Sequence, residues 1–183
     1  DDVAAYAESR DLAHTPGTHW NYSSGTTNII AAIAGRAIGG GAEETRAYLD
    51  RELFAKLGMR SATPRFDAAG TFIGSSYVFA SARDFARFGL FYLRDGTWDG
   101  ERILPEGWVD HARTTTPGSA GEYGAHWWLR LAGDDSFHCS GFQGQYTLCS
   151  PSRDLVIVRL GVSTPEQREP LLPWFRELVT LFD

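Results

Sequence analysis

The sequence predicts an α+β fold in which helices come first, antiparallel strands follow and a last helix covers them. Three observations lead there. Up to about residue 113 the apolar residues recur mostly at helical spacing. From Tyr123 the period changes, and YGAHWWLRL, GQYTLCS and DLVIVRLGV read as strands. The chain then closes on TPEQREPLLPWFRELVTLF, where helical spacing returns.

Each element has a local reason. PGTHW (16–20) makes a turn, after which Ser24 or Thr26 can cap a helix from about Thr27 to Ile38. Ile29, Ile30, Ile33 and Ile38 cover more than one stripe of that helix, so it is expected to be largely buried. The glycines 39–41 end it. AEETRAYLDRELFAKLGM (42–59) carries acids in its first turn and an apolar face, and reads as an amphipathic helix stopped by glycine. SARDFARFGLFYLRDG (81–96) repeats the pattern, with Ser81 as cap and Asp95-Gly96 as exit turn. LPEGWVDHAR (104–113) is a shorter helix. The strands GQYTLCS and DLVIVRLGV are joined by PSRD. The prolines of the closing segment delay its helix until after Pro170 or Pro173.

Composition narrows the function classes. The chain has 183 residues, 43% of them hydrophobic and 13% aromatic, which suffices for a packed core. Its net charge of −6, with basic residues scattered singly, argues against nucleic acid as a partner. No apolar run approaches a membrane span. The opening DDVAAYAESRD has no initiator Met, so the chain is expected to be a piece of something longer. Two cysteines, Cys139 and Cys149, make no disulfide framework and read as unpaired thiols. Five histidines show no metal-ligand grouping, so no metal site is expected.

Two stretches can carry chemistry. In HWNYSSGTT (19–27), Tyr22 either packs its ring while Ser23 or Ser24 caps the helix, or serves as an acid–base group. A tyrosine hydroxyl does the latter only when a neighbouring cation stabilises its anion. In SGFQGQYTLCSPSRD (140–154), two glycines at the entrance to a strand are either a hairpin turn or a close approach of backbone to ligand. In the second case the Phe142 N–H can donate to a developing oxyanion.

The two stretches belong to an ordered series. PGTHWNYSSGTTNIIAAIAGRAIG, LFAKLGM, SARDFARFGLFYL, RILPEGWV and GFQGQYTLCSPSRDLVIVRLG together resemble the class C β-lactamase-related serine hydrolases. That superfamily includes penicillin-recognising peptidases, carboxylesterases and 6-aminohexanoate-dimer hydrolases. The resemblance implies a β-lactamase/DD-peptidase-like fold, an antiparallel sheet flanked by helices. Residues 1–183 would then form the C-terminal portion of one such domain.

The resemblance also implies roles. Tyr22, in the Tyr-x-Asn element with Ser24 where asparagine is usual, would help to activate the nucleophile and protonate the leaving group. Cys139, Ser140 and Gly141 stand where β-lactamases carry Lys-Thr-Gly, so no lysine is there to hold a substrate carboxylate. His138 lies one residue out of register, and a histidine beside a turn is more often simply solvated or hydrogen-bonded. Phe142 would complete the oxyanion hole. Tyr77 and Ser75 would border the cleft. Adjacent strand residues face opposite sides, so one of Trp127 and Trp128 would line the cleft while the other packs, and Trp127 is taken as the candidate.

The Ser-x-x-Lys nucleophile element is absent: Lys56 is the sole lysine among 17 basic residues, and the residue three before it is Leu53. The expected partner is therefore the missing N-terminal part of the same domain. The expected substrate is a small ester, amide or β-lactam-like molecule, turned over without metal or organic cofactor. The alternative is a non-catalytic binding or sensor domain that keeps the fold. The sheet between residues 126 and 162 should be covered on one face by the C-terminal helix and left partly bare on the other.

Overall fold

The computed structural model describes residues 1–182, which fall into two compact units, Asp1–Ser81 and Ala82 onward.

In the first unit, helix α1 (Val3–Glu8) starts at Asp2, whose carboxylate accepts from the Ala4 and Ala5 N–H groups at 3.1 and 2.9 Å. It lies on α2 (Ser24–Ile38). Gly25 permits the contact, since a Cβ there would come within 3.2 Å of Ala7 Cβ. Helix α2 begins three residues earlier than the sequence predicts, because Ser23 rather than Ser24 or Thr26 is the cap. It is also far less buried than expected. Only Asn28 and Ala32 are buried, while Ile30, Ile33, Ala34 and Ala37 form an exposed stripe at helical spacing. Gly39, Gly40 and Gly41 all take positive φ and turn the chain into α3 (Ala42–Leu49). The predicted 42–59 helix is real but contains a wider π-turn at Asp50–Phe54 before α4 (Ala55–Leu57). Strand β1 (Thr63–Pro64) pairs with β2 (Val78–Phe79).

The second unit is built on a four-stranded antiparallel sheet. Helix α5 (Ala82–Leu93) leads into a small hairpin of β3 (Thr97–Trp98) and β4 (Glu101–Arg102), then α6 (Trp108–Arg113). The sheet has the order β5 (Trp128–Leu129), β6 (Phe137–Gly141), β7 (Gln145–Ser150), β8 (Leu155–Arg159). The PSRD turn lies between β7 and β8 as predicted. Strand β6 escapes the sequence reading because FHCSG has too few β-branched residues to announce itself. YGAHWWLRL yields only two strand residues, its pairing cut short by positive φ at His126 and Arg130. After the short α7 (Pro165–Arg168), helix α8 (Leu171–Thr180) starts just past Pro170.

Strand alternation sorts the sheet into two faces. Tyr146 and Leu148 join Leu131, Ala132, Phe175 and Val179 under α8. Phe137 and Cys149 join Ala112, Trp127 and Leu129, with Phe88, Tyr92 and Leu93 of α5 packed on them. The first face meets the expectation for the C-terminal helix. The second overturns the expectation of a partly bare face, because α5 lies across β7 and β8.

Helix α5 approaches the sheet at Gly89, where a Cβ would stand 2.7 Å from Val156 Cγ1 and 3.0 Å from Thr147 Cγ2. Alanine is the better helix former by about 1 kcal/mol. Overpacking of about 1–3 kcal/mol works against that gain. Gly89→Ala is therefore expected to lower the urea midpoint of this chain; an unchanged or raised midpoint would show that the helix can lift off the sheet without loss.

Candidate active site

Tyr22, Ser24 and Tyr77 lie in the first unit, and Trp127, Cys139, Ser140, Gly141 and Phe142 in the second; each set is placed here within its own unit.

Tyr22 stands two residues ahead of α2, and 54% of it is exposed, so its ring is not a core element. The capping role falls to its neighbour: Ser23 Oγ accepts from the Thr26 N–H at 3.4 Å. Ser24 is the first helical residue and is exposed. The cap and the candidate acid–base group are therefore adjacent residues, and the cap is not Tyr22.

The loop carrying Ser75 and Tyr77 is pressed onto the same helix. Gly74 makes this possible, since a Cβ there would lie 3.1 Å from Ala31 Cβ. Asn28 secures it: buried in α2, its Oδ1 accepts from the Ser75 N–H at 3.4 Å. Tyr77 itself is held at φ +63° and is exposed, with its carbonyl accepting from the Arg65 N–H at 3.1 Å. A tyrosine in the left-handed region costs backbone energy, so the loop conformation is imposed by its anchors. A cavity of about 130 Å³ lies at the far end of α2, lined by Gly35, Arg36, Thr45 and Gly70 among others, and none of the predicted site residues borders it.

In the second unit, β6 and β7 form a hairpin with Gly141 opposite Gln145 and Phe142, Gln143 and Gly144 at its tip. Gln143 and Gly144 take φ of +58° and +90°. Phe142 is 80% exposed, and its N–H donates to no group among the described residues. The tip is nevertheless rigidly braced. Arg159 Nη1 donates to the carbonyls of Gly144 and Gly161 at 2.6 and 3.1 Å, and its Nη2 donates to Ser163 Oγ. The Ser163 N–H donates to the Gln143 carbonyl at 3.0 Å. Gln145 holds Gly161 from both sides, Nε2 donating to its carbonyl at 2.6 Å and Oε1 accepting from its N–H at 2.9 Å. Gly141 must lack a side chain, because a Cβ would sit 2.8 Å from Gln145 Cβ.

Strand alternation assigns the remaining candidates. Cys139 faces α5 and packs against its apolar cluster, and burial pushes its thiol up to about 12. Cys149 is also a free, buried thiol, so neither is a thiolate nucleophile. Cys139 is thus a packing residue rather than a substrate contact. Ser140, on the opposite face, is exposed and remains available. Trp127 is corrected as well: it is 3% exposed, its ring wedged among Phe88, Tyr92 and Phe137 at 5.9, 4.6 and 4.9 Å. The outward member of the pair is Trp128, half-buried with Tyr123 edge-on at 5.0 Å. Lys56 forms an ion pair with Glu52 at 3.6 Å.

His138 is neither solvated nor hydrogen-bonded through Nδ1. It is buried beside Tyr146, its Nδ1 has no partner among the described residues, and burial alone pushes its pKa down to about 4. Asn28, Gln145, Arg159 and Ser163 were missed by the sequence reading. Their signal was a polar residue within an apolar helix or at a strand end, too common to single out.

Comparison with known proteins follows the same outline. The family model described as Beta-lactamase matches residues 1–180. The 6-aminohexanoate-dimer hydrolase of Paenarthrobacter ureafaciens is 32% identical over 156 residues, covering 77% of this chain and 38% of that protein. Among solved structures, a Bacillus anthracis protein assigned as a 6-aminohexanoate-dimer hydrolase superposes with a TM-score of 0.82 at 23% identity. That match covers 97% of this chain and 47% of the other. A β-lactamase from Mycobacterium bovis gives 0.70 at 22% identity, covering 92% and 66%. The chain thus spans less than half the length of the first two.

The buried imidazole has a consequence for acid stability. Its folded pKa of about 4 lies below the 6.5 of the free side chain, so the unfolded chain binds the extra proton first. Stability is therefore full above pH 6.5 and falls as pH drops toward 4, by a limit of about 3 kcal/mol. Urea midpoints measured at pH 7 and pH 4.5 should differ strongly in the parent and less in His138→Gln. An equal pH dependence in both would remove His138 as the source.

Proposed function

Because this chain belongs to the β-lactamase family, we propose that it forms the C-terminal portion of a serine hydrolase domain acting by acyl transfer on an ester or amide. The observation that carries the reading is the hairpin tip. Arg159, Gln145 and Ser163 hold the backbone around Phe142, whose N–H is left without an acceptor among the described residues. A rigid donor held in advance is what a developing oxyanion requires, because no reorganisation is then needed as charge appears.

In this mechanism the nucleophilic serine, in a Ser-x-x-Lys outside these residues, attacks the substrate carbonyl. Its lysine and Tyr22 move the protons, Tyr22 donating to the leaving group. The N–H groups of that serine and of Phe142 hold the oxyanion. The electron pair then returns, the C–O or C–N bond breaks and an acyl-enzyme forms, which water hydrolyses. Ser24, Ser140 and the Tyr77 loop supply substrate contacts. The name of the 32%-identical relative favours a small amide as substrate. With Cys139-Ser140 in place of a lysine and its threonine, an anionic substrate gains no charge-assisted bond from a lysine there.

A second reading, a binding domain that keeps the fold without the chemistry, draws on the same absence of Ser-x-x-Lys. Steady-state kinetics on the complete gene product separate the two. Tyr22→Phe keeps the ring and loses the hydroxyl, and kcat on a neutral acyl ester should fall about 10²-fold or more. The parent should show a lower kcat/KM for penicillins than for that ester. A loss under about threefold would leave Tyr22 without a role in proton transfer, and an inactive parent would favour the binding domain.

A further inference from the structure

The tip between β6 and β7 is a run of rigid peptide planes, and a few bonds decide how they are oriented. The plane that carries the Phe142 N–H also carries the Gly141 carbonyl, which accepts from the Gly144 N–H at 3.3 Å. The plane of that Gly144 N–H carries the Gln143 carbonyl, which accepts from the Ser163 N–H at 3.0 Å. The next plane carries the Gly144 carbonyl, which accepts from Arg159 Nη1 at 2.6 Å. Arg159 Nη2 donates in turn to Ser163 Oγ. Both restraints on the tip therefore end on one guanidinium.

The tip needs that outside hold. Gln143, not a glycine, takes φ of +58°, so local preference opposes the turn. Ladder pairing does not impose it, because the β6–β7 register stops at Gly141 opposite Gln145 and the β7–β8 register at Tyr146 opposite Arg159. Gln145 does not impose it either, since both of its side-chain bonds go to Gly161. The approach of Arg159 is built in at Gly144, where a Cβ would stand 3.0 Å from Nη1. The half-buried guanidinium has no carboxylate partner among the described residues; its donors go to the Gly144 and Gly161 carbonyls and to Ser163. A planar fork holds three such acceptors at fixed angles, which an ammonium on a flexible stem does not.

We propose that Arg159 is a positioning residue for acyl transfer: through Gly144 and Ser163 it sets the direction of the Phe142 N–H without itself meeting the substrate. The inference rests on the reading above that this N–H holds the oxyanion. It adds that the donor's aim is fixed by one side chain at the end of β8. Loss of that side chain leaves the donor present but misdirected, so the transition state suffers and ground-state binding does not.

Kinetics and hydrogen–deuterium exchange on the complete gene product test this. Arg159→Met should lower kcat on a neutral acyl ester about 10²-fold, the cost of a group misplaced by about 1 Å. KM should stay within about threefold of the parent. Affinity for a boronic acid, whose tetrahedral adduct mimics the oxyanion, should fall by the same factor as kcat/KM. Arg159→Lys keeps the charge without the fork and should lie between the two. Exchange should quicken at residues 142–144 in Arg159→Met while the β7 amides keep the parent rate. Ser163→Ala, a milder change that leaves the N–H on Gln143, should lower kcat about fivefold. A kcat within about threefold of the parent in Arg159→Met overturns the proposal. So does unchanged exchange at 142–144, and so does equal quickening through β7, which makes Arg159 a residue of the fold alone. Should Arg159→Met not fold, a parental kcat in both Arg159→Lys and Ser163→Ala overturns it. An inactive parent ends the hydrolase reading and this inference with it, whereas an active parent whose Arg159→Met variant keeps its kcat ends only this one.

Discussion

Both broad faces of the four-stranded sheet are covered, one by α8 and one by α5, and this constraint decides where chemistry can sit in the second unit. Side chains that point off the sheet meet apolar clusters, which is why Cys139 and Trp127 are packing residues and His138 is a neutral, buried imidazole. Exposed groups of this sheet lie at the strand ends. At one such end the β6–β7 hairpin presents Phe142. Gly89 is the point at which α5 comes close enough to seal its face.

The first unit follows a different logic, with α2 as the element on which the others are mounted. Gly25 admits α1 and Gly74 admits the Ser75–Tyr77 loop, both by removing a Cβ that would crowd an alanine at 3.2 and 3.1 Å. Asn28 turns that second contact into a fixed one through the Ser75 N–H. The helix start is fixed by Ser23 rather than by Tyr22. Cap and candidate acid–base group are thus successive residues, and assigning the one to Ser23 does not exclude the other at Tyr22.

The α+β class, the helix after Pro170 and the glycine turn at GFQG were legible because each rests on local chemistry: period, proline geometry and glycine's access to positive φ. So was the ordered series of motifs that marks the family. What escaped is what depends on partners distant in sequence. FHCSG becomes a strand only because β5 and β7 flank it. The exposed stripe of Ile30 and Ile33 reads as core in sequence, since hydrophobicity does not say whether a neighbour is present. Which of Trp127 and Trp128 faces inward depends on Phe88 and Tyr92, some 35 residues earlier. The brace of Arg159 on Gly144 and Ser163 likewise joins the ends of two strands that no short window contains.

A fluorophosphonate that labels activated serines, applied to the complete gene product and located by peptide mass spectrometry, bears most directly on the serine hydrolase assignment. The account predicts one adduct, on the serine of a Ser-x-x-Lys outside residues 1–183, formed in the native protein and not after denaturation. An adduct on Ser23, Ser24 or Ser140, or a native protein that takes no label, would contradict it.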